Sequence, residues 1–321
     1  MDQNRIGALS YSYSISTVFS RDLKGAIKEK KEGLNNSILD WSLTHLRAYP
    51  WREPDRTPYE VLIAEVLLKR TTATAAARVY DSFIHQFPTT KTITTATEEQ
   101  LVAALSNVGL QRQRTKAIKA LARHLTEEQC GSIPSDLDNL LRIPGLGEYS
   151  ARAVLSFGFG IPVAVVDANV ERILGRVFQS VLPPRPPGRL LQELASSLLP
   201  GESHRKHNLG LLDLGALICR YIDLLCPECP LAPICDYYDR NKARLIKEEP
   251  GRYQTAVGMK LRNVRKEKGI ALAKLAQLAK VSKLTIIRIE SGKTLPRPET
   301  IAKLATALGA PTEELTARRG E

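Results

Sequence analysis

Four of the chain's five cysteines, Cys219, Cys226, Cys229 and Cys235, fall within 17 residues with the spacing C-x6-C-x2-C-x5-C, while Cys130 stands far away. A disulfide scaffold would spread its cysteines, so this cluster reads as a metal site in a reducing compartment. Thiolates two residues apart can chelate one centre, and Pro227, Pro230 and Pro233 stiffen the loop that would carry them. By residue chemistry alone zinc comes first for four cysteines and an iron–sulfur cluster second.

Two carboxylates form a second constellation. In TPYEVLIAEVLLKRTT, helical spacing puts Glu65 on one face with Val61, Leu62 and Leu68. An acid among apolar neighbours has a raised pKa and suits a proton donor. Asp167 interrupts the apolar run VAVV and precedes ANVERILGRV, where it can cap a helix; the positive end of that helix favours its ionised form. Between them lies LLRIPGLGEYSARAVLSF. There Pro144-Gly145-Leu146-Gly147 turns the chain between two helices, through glycines free to adopt backbone angles closed to other residues. The amides of such a turn suit a DNA phosphate without reading its sequence.

The elements that must position these residues are helical. From about Ser37 to Tyr238 apolar residues recur at three- and four-residue intervals, no β-hairpin signal appears, and LPPRPPGR at 182–189 reads as a surface loop. Residues 1–35 are expected to form a flexible or partly helical lead-in. KEEPGRYQ at 247–254 is expected to be a linker to a short second unit. The chain has 321 residues, 46 Lys and Arg against 34 Asp and Glu, and a formal charge of +12, which makes nucleic acid the first partner to consider. Residues 251–321 hold 15 Lys and Arg against 6 Asp and Glu, so most of the excess lies at the C-terminal end. No apolar run reaches 18 residues, so no membrane partner is expected and the chain reads as soluble and intracellular.

Several of these motifs resemble one family. The hairpin followed some 20 residues on by VVDANVER, and the cysteine spacing, are similar to the helix-hairpin-helix DNA glycosylases of the endonuclease III and adenine glycosylase branch. That resemblance reverses the metal order: it implies a [4Fe-4S] cluster on Cys219, Cys226, Cys229 and Cys235, with zinc the alternative. It also implies that Asp167 acts on the anomeric carbon of a flipped nucleotide and that Glu65 is the catalytic glutamate. Tyr149 stands where bifunctional relatives carry the Schiff-base lysine, so it would lie beside the flipped nucleotide in an enzyme without strand-cleaving lyase activity.

Adenine glycosylases usually carry a Gln pair where this chain has Lys69 and Arg70, and a C-terminal Nudix-like domain that has no counterpart here. LLKRTT, VGLQRQRTKAIKALA, NLGLLDLGALIC and Tyr149 instead resemble the thymine-DNA mismatch glycosylases. The implied activity is excision of thymine or uracil opposite guanine in double-stranded DNA. By the same analogy Arg70 and the loop Leu110, Gln111 and Arg112 probe the orphaned partner and plug the gap, although as basic residues Lys69, Arg70, Arg112 and Arg114 also suit plain phosphate contacts. Excision of adenine, excision of a modified base, and a non-catalytic DNA-binding regulator are the other readings.

Residues 259–315 resemble a phage-repressor type of helix-turn-helix, with the turn at Lys280 and Val281 and with Ser282, Lys283, Thr285 and Arg288 facing the major groove. Leu272 replaces the polar residue that this family commonly has near the start of the first central helix. The expected architecture is all-α: a lead-in over 1–35, a two-lobed glycosylase domain over 36–245 with its cluster loop at 219–235, a linker at 246–255, and a helix-turn-helix domain over 256–316. A cytoplasmic, nucleoid-associated location goes with that expectation.

Overall fold

The computed structural model describes residues 19–106, 108–221, 224–247, 250–292, 294 and 296–316, with backbone alone at 243–247, 250–256, 298, 313 and 316. Among these there is no strand, and no helix is long and apolar enough to cross a membrane. The chain divides into two compact units, Met1–Gly215 and Ala216–Glu321.

In the first unit, helix α1 (Arg21–His45) begins where Ser20 accepts the Leu23 amide, and it buries Leu23, Leu34, Ile38 and Trp41. The expected domain start at 36 therefore falls inside a helix; the remainder of the lead-in, 1–18, lies outside the described residues. Helix α2 (Pro58–Leu68) opens with a Thr57/Glu60 capping box and with Pro58 in its first turn, where the missing N–H costs nothing. All seven residues from Val61 to Leu67 are buried, so α2 runs through the core rather than over it.

Around α2 pack α3 (Ala73–Gln86), α4 (Thr90–Thr95), α5 (Glu98–Ala104), α6 (Gln111–Glu128), α7 (Leu137–Arg142) and α8 (Glu148–Ala153), which share one core that includes Leu62, Ile63, Tyr80, Phe83, Leu105 and Ile118. Full burial of each such side chain stabilises the lobe by ~1.5–3 kcal/mol before entropic costs.

A π-turn at Val154–Gly158 leads from α8 into an irregular segment before α9 (Ala168–Val177), followed by α10 (Gly188–Leu198) and α11 (His204–Leu217). Lys30 and Lys31 of α1 donate to the carbonyls of Val177 (2.8 Å) and Ser197 (2.7 Å), tying α1 to the ends of α9 and α10. Buried Asp213 on α11 accepts from Arg47 Nε (2.7 Å), the Arg47 amide (2.8 Å) and Arg52 Nη1 (2.7 Å), which anchors α11 to the segment before α2.

The second unit contains short 3-10 turns at Cys226–Glu228 and Ala232–Ile234, then α12 (Asp236–Lys247), α13 (Pro250–Glu267), α14 (Leu272–Ala279), α15 (Lys283–Glu290), α16 (Pro298–Leu308) and α17 (Thr312–Thr316). The stretch expected to be a linker is helical on both sides of 248–249, which lie outside the described residues. Pro250 is compatible with this because it occupies the first turn of α13. Val257, Leu261, Leu275, Ile286, Ile289 and Leu304 form a separate core for the last five helices, and Leu272 packs against it. Arg265 grips Glu290 through both carboxylate oxygens, at 2.5 and 2.9 Å.

Candidate active site and nucleic-acid interface

Glu65 is 6% exposed, and burial raises its carboxyl from 4.5 to about 7. The Asp167 charge pushes the same way, while a hydrogen bond from Ser150 Oγ (2.9 Å) and the Lys69 ammonium oppose it. The expected acid in an apolar setting is therefore present, and one oxygen is oriented by α8. Lys69, one helical turn on from Glu65, donates to the carbonyl of Gly145 and so joins the end of α2 to the hairpin turn.

Asp167 caps α9. Its Oδ1 accepts the amides of Asn169 (2.8 Å) and Val170 (2.9 Å), and its Oδ2 accepts Asn169 Nδ2 (2.7 Å). Asn169 in turn accepts Arg172 Nη2 (2.8 Å), which also donates to the Gly215 carbonyl (2.7 Å). Gly215 is required there, since an added Cβ would sit 2.5 Å from Asn169 Cβ.

The irregular segment that delivers Asp167 is stitched to α11 by Asn208. This fully enclosed amide donates to Ser156 Oγ (2.9 Å) and the Val163 carbonyl (2.8 Å), and accepts the Val165 amide (3.2 Å). Tyr149, half-buried on α8, has its hydroxyl pushed well above 10, first by burial and then by the charges of Glu65 and Asp167, with Arg52 and Arg47 pulling the other way. Glu65, Asp167 and Tyr149 thus lie within electrostatic reach of one another. Arg47 and Arg52, which sequence reasoning did not single out, border the same site; their partner Asp213 is more than 160 residues away along the chain.

In the hairpin turn, Pro144, Gly145 and Gly147 are exposed and Leu146 is buried. Gly145 has the expected left-handed backbone (φ 79°), whereas Gly147 does not: at φ −100° it is an ordinary extended N-cap that any residue could adopt. Arg70 (φ 52°) and Leu110 (φ 51°) are both exposed and both left-handed, an uncommon state for residues with a Cβ. Arg112 is exposed, but Gln111 turns back to donate to the Ser106 carbonyl (2.9 Å). Arg114, read from sequence as a phosphate-facing base, is 5% exposed and points into the protein.

In the second unit the four cysteines are partly buried and not disulfide-bonded. The Cys229 thiol is pushed up to about 12, first by burial and also by Cys219, Cys235 and Cys226, so the four sulfurs sense one another. Among the described residues, no three His, Cys, Asp or Glu side chains already form a metal-holding group. The donor set, four mutually interacting sulfurs on a proline-stiffened loop, nevertheless fits a thiolate-bound centre.

In the helix-turn-helix the expected turn begins at Lys280, whose backbone is left-handed (φ 52°). Ser282 caps α15 by accepting the Thr285 amide (3.0 Å) and bonds its hydroxyl, so these two side chains hold the helix start. Lys283 and Arg288 are exposed, as are Leu284 and Ile287, a pair one helical turn apart that sequence reasoning passed over.

Comparison with known proteins fits this arrangement. Residues 63–197 match the family described as HhH-GPD superfamily base excision DNA repair protein, and residues 261–315 match a helix-turn-helix family. A thymine/uracil-DNA glycosylase of Methanothermobacter thermautotrophicus is 34% identical over 216 residues, covering 67% of this chain and 97% of the relative. An adenine DNA glycosylase of Mycolicibacterium smegmatis is 30% identical over 195 residues, 61% of this chain and 66% of the relative. The solved structure of a thermostable thymine-DNA glycosylase superposes with a TM-score of 0.63 at 34% identity, over 67% of this chain and 99% of the other. Since the first of these relatives is matched over nearly its whole length, and the matched family region 63–197 spans Glu65, the hairpin turn and Asp167 of this chain, the chain belongs to the HhH-GPD superfamily of base excision DNA repair proteins.

Proposed function

We propose that this chain is a monofunctional DNA glycosylase that extrudes thymine or uracil mispaired with guanine and leaves an abasic site. The observation that carries the reading is the pairing of Glu65, buried and held near 7, with Asp167, fixed as a helix cap within its electrostatic reach. The relatives named for thymine and uracil excision supply the base, and Lys69 and Arg70 in place of a glutamine pair agree with them.

Neither carboxylate can reach C1′ inside a duplex, so the nucleotide must first leave the stack. Glu65 enters protonated and gives its proton to the departing base. The sugar then carries oxocarbenium charge, which the ionised, preoriented Asp167 stabilises. Water adds to C1′ and releases its proton to Glu65, restoring it. Tyr149 offers a phenol where a lysine would form a Schiff base, so the strand stays intact. The turn at Pro144 presents the amides of Gly145 and Gly147 to a backbone phosphate, Arg70 and Leu110 meet the gap and the orphaned guanine, and Lys283 and Arg288 hold duplex DNA through the second unit.

Cys219, Cys226, Cys229 and Cys235 would hold a [4Fe-4S] cluster, with zinc the alternative, and the bound group supplies a cross-link of four points along the chain. An absorbance band near 400 nm separates the two metals, because zinc thiolates lack it.

Excision is tested with labelled duplexes holding a single G:T, G:U or A:8-oxoguanine pair, cleaved at abasic sites by alkali. Alkali-dependent breaks at G:T or G:U, lost in Asp167→Asn, are expected. Release of adenine alone overturns the reading, and breaks without alkali overturn the monofunctional assignment.

A further inference from the structure

Arg114 is a buried cation with no carboxylate among its hydrogen-bond partners in the described residues. Its guanidinium is spent on backbone: Nε donates to the Gly109 carbonyl (3.2 Å), Nη1 to the Val66 carbonyl (2.7 Å), and Nη2 to the Lys69 carbonyl (2.6 Å) and to Thr71 Oγ1. Val66 and Lys69 belong to the C-terminal end of α2, whose unsatisfied carbonyls and negative helix end suit a positive charge. Gly109 belongs to the loop before α6. Thr71 completes the link, since its hydroxyl also meets the carbonyl of Val108 (3.3 Å). One side chain thus joins two exposed loops separated by some 40 residues of sequence.

Each of those loops presents a residue in left-handed backbone, Arg70 (φ 52°) on one and Leu110 (φ 51°) on the other, with Gly109 (φ 70°) beside it. For residues with a Cβ such conformations are strained and persist only where surrounding bonds over-determine them. Leu110 is 47% exposed, an apolar side chain held out at a loop tip. Arg114 supplies the over-determining bonds to both loops from beneath, and its hold on the Val66 and Lys69 carbonyls ties them to the helix that carries Glu65.

We propose that Arg114 is the positioning residue that locks the Leu110 wedge and the Arg70 probe into one rigid pair, so that base extrusion and recognition of the opposite guanine occur in register with Glu65. The proposal rests on the glycosylase reading for its substrate but makes a separate claim, namely that Arg114 serves extrusion and not bond cleavage.

The test compares full-length wild type with Arg114→Lys, Arg114→Met and Thr71→Val under single-turnover conditions. One substrate carries G:U in an intact duplex; the other carries the same uracil opposite an abasic analogue, where no stacked pair must be broken. A 2-aminopurine placed beside the lesion reports unstacking by its fluorescence. Arg114→Met is expected to lose at least ~10-fold more rate on the G:U duplex than on the pre-opened substrate, a difference of at least ~1.4 kcal/mol in barrier, and to lose the 2-aminopurine rise. Arg114→Lys and Thr71→Val should do the same in milder form.

Equal losses on both substrates by variants that melt like wild type overturn the proposal, as does a 2-aminopurine rise that the variants retain or that wild type never gives. If Arg114→Met does not fold, the two milder variants decide. A wild type that excises nothing refutes the glycosylase reading, while the fluorescence still judges Arg114.

Discussion

Glu65→Gln separates the chemical use of this side chain from what it costs the fold. The carboxyl is raised from 4.5 to about 7, chiefly by burial. Below pH 4.5 the folded and unfolded chains both hold the proton, and between 4.5 and about 7 only the folded chain does. Above 7 the folded chain must carry a charge among apolar neighbours, so stability present at low pH is lost as the pH rises through the folded value. At ~1.4 kcal/mol per factor of ten, the difference between 4.5 and about 7 is about 3 kcal/mol at alkaline pH. Glutamine has the shape of the neutral acid, keeps an oxygen for the Ser150 hydroxyl, and never ionises. In thermal melts followed by circular dichroism, Glu65→Gln should therefore match wild type near pH 5 and exceed it near pH 8.5 by about 6–12 °C in a transition of this size, while losing base excision at both. A gap that is independent of pH, or a variant less stable than wild type at alkaline pH, would refute the assignment of Glu65 as a buried, proton-holding acid.

His207, with neither ring nitrogen hydrogen-bonded among the described residues, is pushed down from 6.5 to about 4, first by burial and then by the Lys31 charge. Its contribution is present above 6.5 and lost as the pH falls through about 4, so His207→Leu should flatten the acid limb of a urea-midpoint profile. Asp213→Ala strips two arginines of their shared buried partner and should lower stability by about 3–5 kcal/mol in denaturant titrations, far more than loss of a surface ion pair. Gly215→Ala forces a Cβ against Asn169 and should slow single-turnover excision while affinity for abasic DNA, measured by fluorescence anisotropy, stays close to wild type.

Much of the site was legible because its chemistry is encoded locally. Glu65 betrays itself by sharing a helix face with aliphatics, and Asp167 by preceding a helix it can cap. Arg114 was legible in principle too: with Ile118, Leu121 and Leu125 it lies on the buried stripe of α6, a signal outweighed by the prior that arginines in a basic protein face phosphates. Helix α1 was under-read because KGAIKEKKEG looks solvated, yet Leu23, Leu34, Ile38 and Trp41 keep a buried stripe through it. What no local pattern carries is the grip of Asp213 on Arg47 and Arg52, or the stitching of Asn208 to Val163 and Val165. These partners meet only once α11 has docked.

The ring of hydrogen bonds around Asp167 bears on how its mutants can be interpreted. Replacing Oδ2 with an amide nitrogen turns Asp167→Asn into a donor facing the Asn169 Nδ2 donor, and relief by an Asn169 flip would break the bond that Asn169 Oδ1 accepts from Arg172. The customary charge-neutralising mutant is therefore not a silent replacement, because it disturbs the start of α9 as well as removing the charge. The exchange Asp167→Asn with Asn169→Asp restores donor-to-acceptor pairing and keeps the Arg172 contact. In that double mutant a carboxylate is still present but shifted by two residues, so its activity measures how closely catalysis depends on where the charge sits.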